Sequence, residues 1–93
     1  MLIRLVRMHF APENTETFRK IFEETAPFIM EFSGCLKVEI LTDATDPNII
    51  YTLSHWQALE NLETYRTSAF FKQTWTKVKP LFNAKTQAFS MLV

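Results

Sequence analysis

The sequence predicts an α+β fold in which one four-stranded antiparallel sheet carries helices on a single face, and three observations predict it. Residues 2–10, 35–42, 49–56 and 82–93 alternate in side-chain character with the period of two that marks strands. Residues 18–32 and 59–75 instead repeat apolar side chains at helical spacing. The run DATDPN, 43–48, is turn chemistry and joins the second and third strands as a hairpin. The order is therefore β-α-β-β-α-β. With right-handed crossovers it closes as a ferredoxin-like fold.

Each element has its own justification. In the first strand Leu2, Val6, Met8 and Phe10 share one side, joined by Arg4, and Ile3, Leu5, Arg7 and His9 share the other. Both sides are partly apolar, which suits a central strand. Pro12 ends it, and Asn14 is placed to cap a helix whose apolar side is Phe18, Ile21, Phe22, Thr25, Phe28, Ile29 and Phe32. Pro27 removes one hydrogen bond, so a kink or restart near Thr25 is expected. Gly34, the only glycine, fits a left-handed position just past the helix end.

From Cys35 to Thr42, Leu36, Val38 and Ile40 alternate with Cys35, Lys37, Glu39 and Leu41, and the charges suggest an edge strand. Ile49, Tyr51, Leu53 and His55 alternate with Ile50, Thr52, Ser54 and Trp56. Beyond Trp56, the stripe Leu59, Leu62, Tyr65 is interrupted at Ser68, and Phe70, Phe71 and Trp75 begin a second one, so two short helices are expected. Pro80 stops them. In the last strand Phe89, Met91 and Val93 oppose Ala88, Ser90 and Leu92.

Ninety-three residues form one domain, residues 1–93, with a small core. A content of 47% hydrophobic residues, with nine Phe and two Trp, exceeds what that core needs, and the sheet face without helices still carries apolar residues. A second copy is the simplest cover, so a homodimer is expected. Ten basic and ten acidic residues without like-charge runs offer no footprint for nucleic acid or an anionic membrane. Cys35 stands alone, which excludes a disulfide framework or a Cys-based metal site, and it is expected to be buried and unreactive. The first ten residues are too short and too charged for a signal peptide or a span, so a cytoplasmic protein is expected.

Several functions share this topology. The third strand lacks the glycine-set aromatics of an RNA-recognition domain, a copper carrier would need paired cysteines, and Ala11-Pro12 replaces the glycine-rich turn of a regulatory amino-acid-binding domain. Four features instead carry one resemblance: Gly34-Cys35-Leu36 after the first helix, Asp46-Pro47 in the hairpin, Trp56 at the third strand's end, and the spacing Glu60, Leu62, Tyr65, Ser68, Phe71. Across nearly the whole chain the sequence resembles the antibiotic biosynthesis monooxygenase family of dimeric α/β barrel proteins.

That resemblance implies two sheets packed back to back and a pocket in each subunit between sheet and helices. Members of the family oxidise phenols or quinols with oxygen and no cofactor, or degrade haem. The haem-degrading branch uses an Asn, a Trp and a His, where this chain has Arg7 or its neighbour, Tyr65 and Trp75. The axial iron ligand is thus replaced, and neither cofactor nor metal is expected. Quinol-oxidising relatives often carry His where this chain has Tyr65.

A cofactor-independent monooxygenase needs an apolar cavity for a flat aromatic, a group that takes a phenolic proton, and a cation that holds the anion. The candidates are His9, His55 and Tyr51 for the proton and Arg7 for the anion, with Tyr65, Trp75, Phe70 and Trp56 as walls. The alternative is a non-catalytic homodimer that binds a small molecule or serves assembly, because residues that relatives use for chemistry are replaced.

Overall fold

The computed structural model describes all residues, Met1–Val93. The elements run β1 (Leu2–His9), α1 (Thr15–Met30), β2 (Cys35–Thr42), β3 (Ile49–Trp56), α2 (Leu59–Arg66), α3 (Ala69–Val78) and β4 (Gln87–Leu92), with short 3-10 turns at Pro12–Asn14 and Lys79–Leu81. The sheet order is β2-β3-β1-β4 and every neighbouring pair is antiparallel. This is the ferredoxin-like α+β arrangement. β1 is central and β2 is an edge, as expected.

Register decides which side chains meet the helices. β1 and β3 pair as Leu2 with Trp56, Arg4 with Ser54, Val6 with Thr52 and Met8 with Ile50. Leu2, Met8, Ile50 and Trp56 are buried, so the even-numbered residues of both strands face the helices. β4 brings Ser90 opposite Arg4 and Ala88 opposite Val6 on that same face.

The local chemistry explains the joints. Asp43 Oδ2 accepts from the backbone N–H groups of Thr45 and Asp46, and Asp46 Oδ1 accepts from Asn48 N–H. These bonds close the β2–β3 connection. Ser68 caps α3, its Oγ accepting from Phe71 N–H at 3.1 Å, so the break between the two short helices falls where the sequence places it. Gly34 adopts φ +83°, the left-handed position expected of it.

Four expectations are corrected. Asn14 stands at the start of α1 without a capping bond: it ends the 3-10 turn Pro12–Asn14 with φ −105° and ψ −8°, not the extended backbone of a cap, and its side-chain amide donates to Leu81 O at 3.4 Å. α1 runs unbroken through Pro27, with no restart near Thr25: the one missing bond falls at the carbonyl of Glu23, an exposed residue. The register slips between Cys35 and Lys37, so Leu36 is a bulge residue and Cys35 turns to the helix side opposite Trp56, where it is half-buried. The last strand begins at Gln87, not Phe82. Phe82 makes only an isolated bridge to Phe10, and Asn83 N–H donates to His9 O, tying the end of β1 down.

Candidate binding site

Burial is divided. One core cluster, Val6, Met8, Phe10, Phe18, Ile50 and Val78, lies at one end of the helix-covered face, and a second, Leu2, Ile29, Trp56 and Leu62, lies at the other. Side chains of both clusters line a cavity of about 310 Å3 between sheet and helices. That volume is at the small end of the roughly 300–1,000 Å3 typical of ligand pockets.

The walls come from every layer. β1 contributes Arg4, Val6 and Met8, β3 contributes Thr52, Ser54 and Trp56, and α1 contributes Phe18, Ile21, Phe22, Thr25 and Ile29. The two short helices close the remaining side with Leu62, Tyr65, Arg66, Phe71, Thr74, Trp75 and Val78, and Val38, Thr86 and Ala88 complete it. Tyr65 stacks on Trp56 with ring centroids 5.4 Å apart and meets Phe32 and Phe71 edge-on, each at 5.1 Å. Phe71 continues to Trp75 at 5.7 Å. An aromatic chain thus runs along one wall.

Most polar groups in the walls are already committed. Thr25 and Thr74 hydroxyls donate to backbone carbonyls one turn back, and Ser54 Oγ accepts from Trp56 Nε1 at 3.0 Å. Thr86 Oγ1 is buried without a hydrogen-bond partner. Arg4 donates to Ser90 Oγ at 2.9 Å, and Arg66 pairs with Glu63 at 2.8 Å. Burial, and then the like charge of Arg66, push the Arg4 guanidinium below its ordinary range, partly offset by Glu63. It still carries its charge at neutral pH. Burial, with a smaller contribution from Cys35, pushes the Tyr65 phenol well above its usual value, so this hydroxyl is neutral there and serves as no base.

Three of the four expected wall residues, Trp56, Tyr65 and Trp75, line the cavity. Phe70 does not; it packs outside, against Phe28 at 5.9 Å and Phe32 at 6.0 Å. Arg7, His9, Tyr51 and His55 all fall on the opposite face of the sheet, because each is odd-numbered on β1 or β3 and the even-numbered face carries the cavity. The structure does bring Arg7 opposite Tyr51 there. Tyr51 donates its hydroxyl proton to Asp43 Oδ1 at 2.9 Å, which holds the Asp43 carboxyl below its usual range. His9 sits 3.8 Å from Asp46, and His55 leaves Nδ1 buried without a partner.

The arginine of the cavity is Arg4. A guanidinium inside an otherwise apolar strand face, LxRxVxMxF read on alternate positions, was the signal available for it. Arg66 and Thr86 carried no such signal, since one reads as a solvated helix end and the other as an ordinary position in the expected last strand, 82–93.

The fold and the cavity define a class: a ferredoxin-like α+β protein with an apolar, aromatic-walled cavity between its sheet and its helices. A sequence model of the family described as antibiotic biosynthesis monooxygenase matches residues 1–77. The chain belongs to the antibiotic biosynthesis monooxygenase family. None of the curated proteins compared by sequence matches it.

Solved structures match the whole fold at low identity. A conserved protein from Methanosarcina mazei Go1 superposes with a TM-score of 0.90 at 18% identity, covering 98% of this chain and 91% of its own. A structure described as an antibiotic biosynthesis monooxygenase gives 0.90 at 15% identity over 100% and 98%. Rv0793 from Mycobacterium tuberculosis gives 0.89 at 13% over 99% and 93%. At these identities the likeness is one of fold.

Proposed function

We propose that the protein is a cofactor-independent monooxygenase acting on a small phenol- or quinol-like aromatic held in this cavity. The observation that carries the reading is the aromatic wall Trp56, Tyr65, Phe71 and Trp75 beside a charged Arg4, within a chain of the monooxygenase family. The wall orients a flat ring, and Arg4 stabilises the phenolate that donates electrons to oxygen. The reaction balances without another reductant. A phenol gains one oxygen atom at its para carbon as a quinone carbonyl, and the two hydrogens it loses leave with the second oxygen atom as water.

Oxygen uptake with a panel of hydroquinones, anthrones and naphthols tests this. Uptake above the autoxidation rate, reduced at least about tenfold in Arg4→Gln, is expected. No uptake with any member of the panel sinks the reading. One specific observation favours a second reading, a non-catalytic small-molecule-binding module: the cavity walls hold neither imidazole nor carboxylate to take a proton. Tight binding of the same compounds without uptake distinguishes it.

We also propose a homodimer formed through the sheet face opposite the helices, with residues 1–93 as one domain of each subunit. Ile3, Leu5 and Leu53 lie on this face beside Phe89 and Met91, which are 48% and 44% exposed. Such a contiguous apolar strip is what a second copy covers. Light scattering at micromolar concentration is expected to give twice the chain mass; the mass of one chain overturns it.

A further inference from the structure

Although the net charge of the chain is zero, the charged side chains that line the cavity are all cationic. No Asp or Glu lines the cavity, whereas Arg4 and Arg66 both do. A shallow groove outside α3 shares Arg66, Phe71 and Trp75 with the cavity and adds Lys72 and Lys79. Only Arg66 among these four cations has a carboxylate partner within ion-pair distance. Glu63 neutralises Arg66 in part, but Arg4 has only the neutral Ser90 hydroxyl, and both arginines line the same cavity. Such an arrangement stabilises an anion and is itself relieved by one.

The second orphan lies at the far end. Thr86, the residue just before β4, is four residues from Ser90, the partner of Arg4, a span of at most about 13 Å at the rise of an extended chain. Thr86 lines the cavity, and its hydroxyl is buried without a partner. A buried hydroxyl left unbonded in an otherwise apolar wall needs a polar atom opposite it.

We propose that the ligand of this cavity is an elongated aromatic carboxylate, its carboxylate held by the Arg4 guanidinium and a hydroxyl or carbonyl at its far end bonded to Thr86 Oγ1. The inference rests on the cavity being the ligand site and names the class of ligand it takes. A planar carboxylate matches the guanidinium fork in two parallel bonds, and a phenolic hydroxyl alone does not. The ring system between the two ends lies against Tyr65, Phe71 and Trp75, with Trp56 behind Tyr65. Arg66, Lys72 and Lys79 draw the anion toward the opening.

Both tryptophans of the chain line the cavity, so intrinsic fluorescence reports occupancy directly. The full chain is titrated with 6-hydroxy-2-naphthoate, with its methyl ester and with 2-naphthoate. The free acid is expected to quench with at least about tenfold lower Kd than the ester, the size expected for a hydrogen bond to a charged group. Arg4→Gln, checked as folded by circular dichroism, removes that preference, and Arg4→Lys keeps part of it. Thr86→Val removes the advantage of the hydroxynaphthoate over the naphthoate and leaves the acid-to-ester ratio unchanged.

Equal Kd for acid and ester, a preference that survives Arg4→Gln, or no quenching by any probe overturns the proposal. Oxygen uptake separates it from the functional reading. Carboxylate preference without uptake by any compound leaves the inference standing and removes the oxygenase. Uptake with equal binding of acid and ester does the reverse.

Discussion

Trp56→Ala lowers stability by about 3–5 kcal/mol, the range for removing a fully buried aromatic. Only 13 of the 93 residues are buried, so each large core side chain carries an unusual share of the folding energy, and Trp56 is wholly inaccessible. Its ring stacks on Tyr65, packs with Leu2, Ile29 and Leu62, and separates the cavity from that end of the core. Truncation joins a new void to an existing one, which the neighbours cannot close. It also strands Ser54 Oγ, buried and otherwise bonded to the indole Nε1.

For a domain whose whole stability is about 5–15 kcal/mol, this loss drops the melting temperature by roughly 15 °C or more. Urea denaturation followed by circular dichroism reads it. Trp56→Phe, which keeps an aromatic against Tyr65, costs less. A midpoint for Trp56→Ala within about 0.5 kcal/mol of the parent contradicts the burial argument.

Gly34→Ala is the second large effect, expected at about 2 kcal/mol or more. Two causes add. At φ +83° an L side chain costs roughly 1–2 kcal/mol from its own backbone. A Cβ there also stands 2.3 Å from Asn61 Cγ and 2.7 Å from Asn61 Cβ, so the start of α2 must move. Gln57 N–H donates to Gly34 O at 2.8 Å, which keeps the two segments from simply separating. In an Asn61→Ala background part of the loss is recovered, because Cγ is gone while Cβ and the backbone strain remain. Chemical denaturation of the four proteins of this cycle measures the coupling. Additive losses would mean that the contact with Asn61 contributes nothing.

The resemblance quoted Gly34-Cys35 as a family feature, and the structure supplies a physical reason for the glycine: left-handed backbone and close approach of α2 at one point. The same holds for Ser68, whose cap separates α2 from α3 and so turns Tyr65 and Trp75 toward one cavity from two helices. These features were legible because each is local. Turn, cap and left-handed positions depend on a few neighbours in sequence.

Leu36 was not legible for the opposite reason: the slip there is set by pairing with β3, not by anything within β2. α1 continues through Pro27 without a restart. Asn14 belongs to the 3-10 turn before α1, so its backbone is not that of a cap.

By itself the sequence determined the order of elements, the central and edge strands and the family, because periodicity and turn chemistry are written residue by residue. It also determined which residues share a side within each strand, Arg7 with His9 and Tyr51 with His55, while the register brings those two sides onto one face. Only the tertiary structure decided which of the two faces the helices cover. Alternation with a period of two divides a strand into sides without naming the inner one, and here both sides are apolar enough to be buried. That one choice moves the candidate anion-holding residue of the cavity from Arg7 to Arg4.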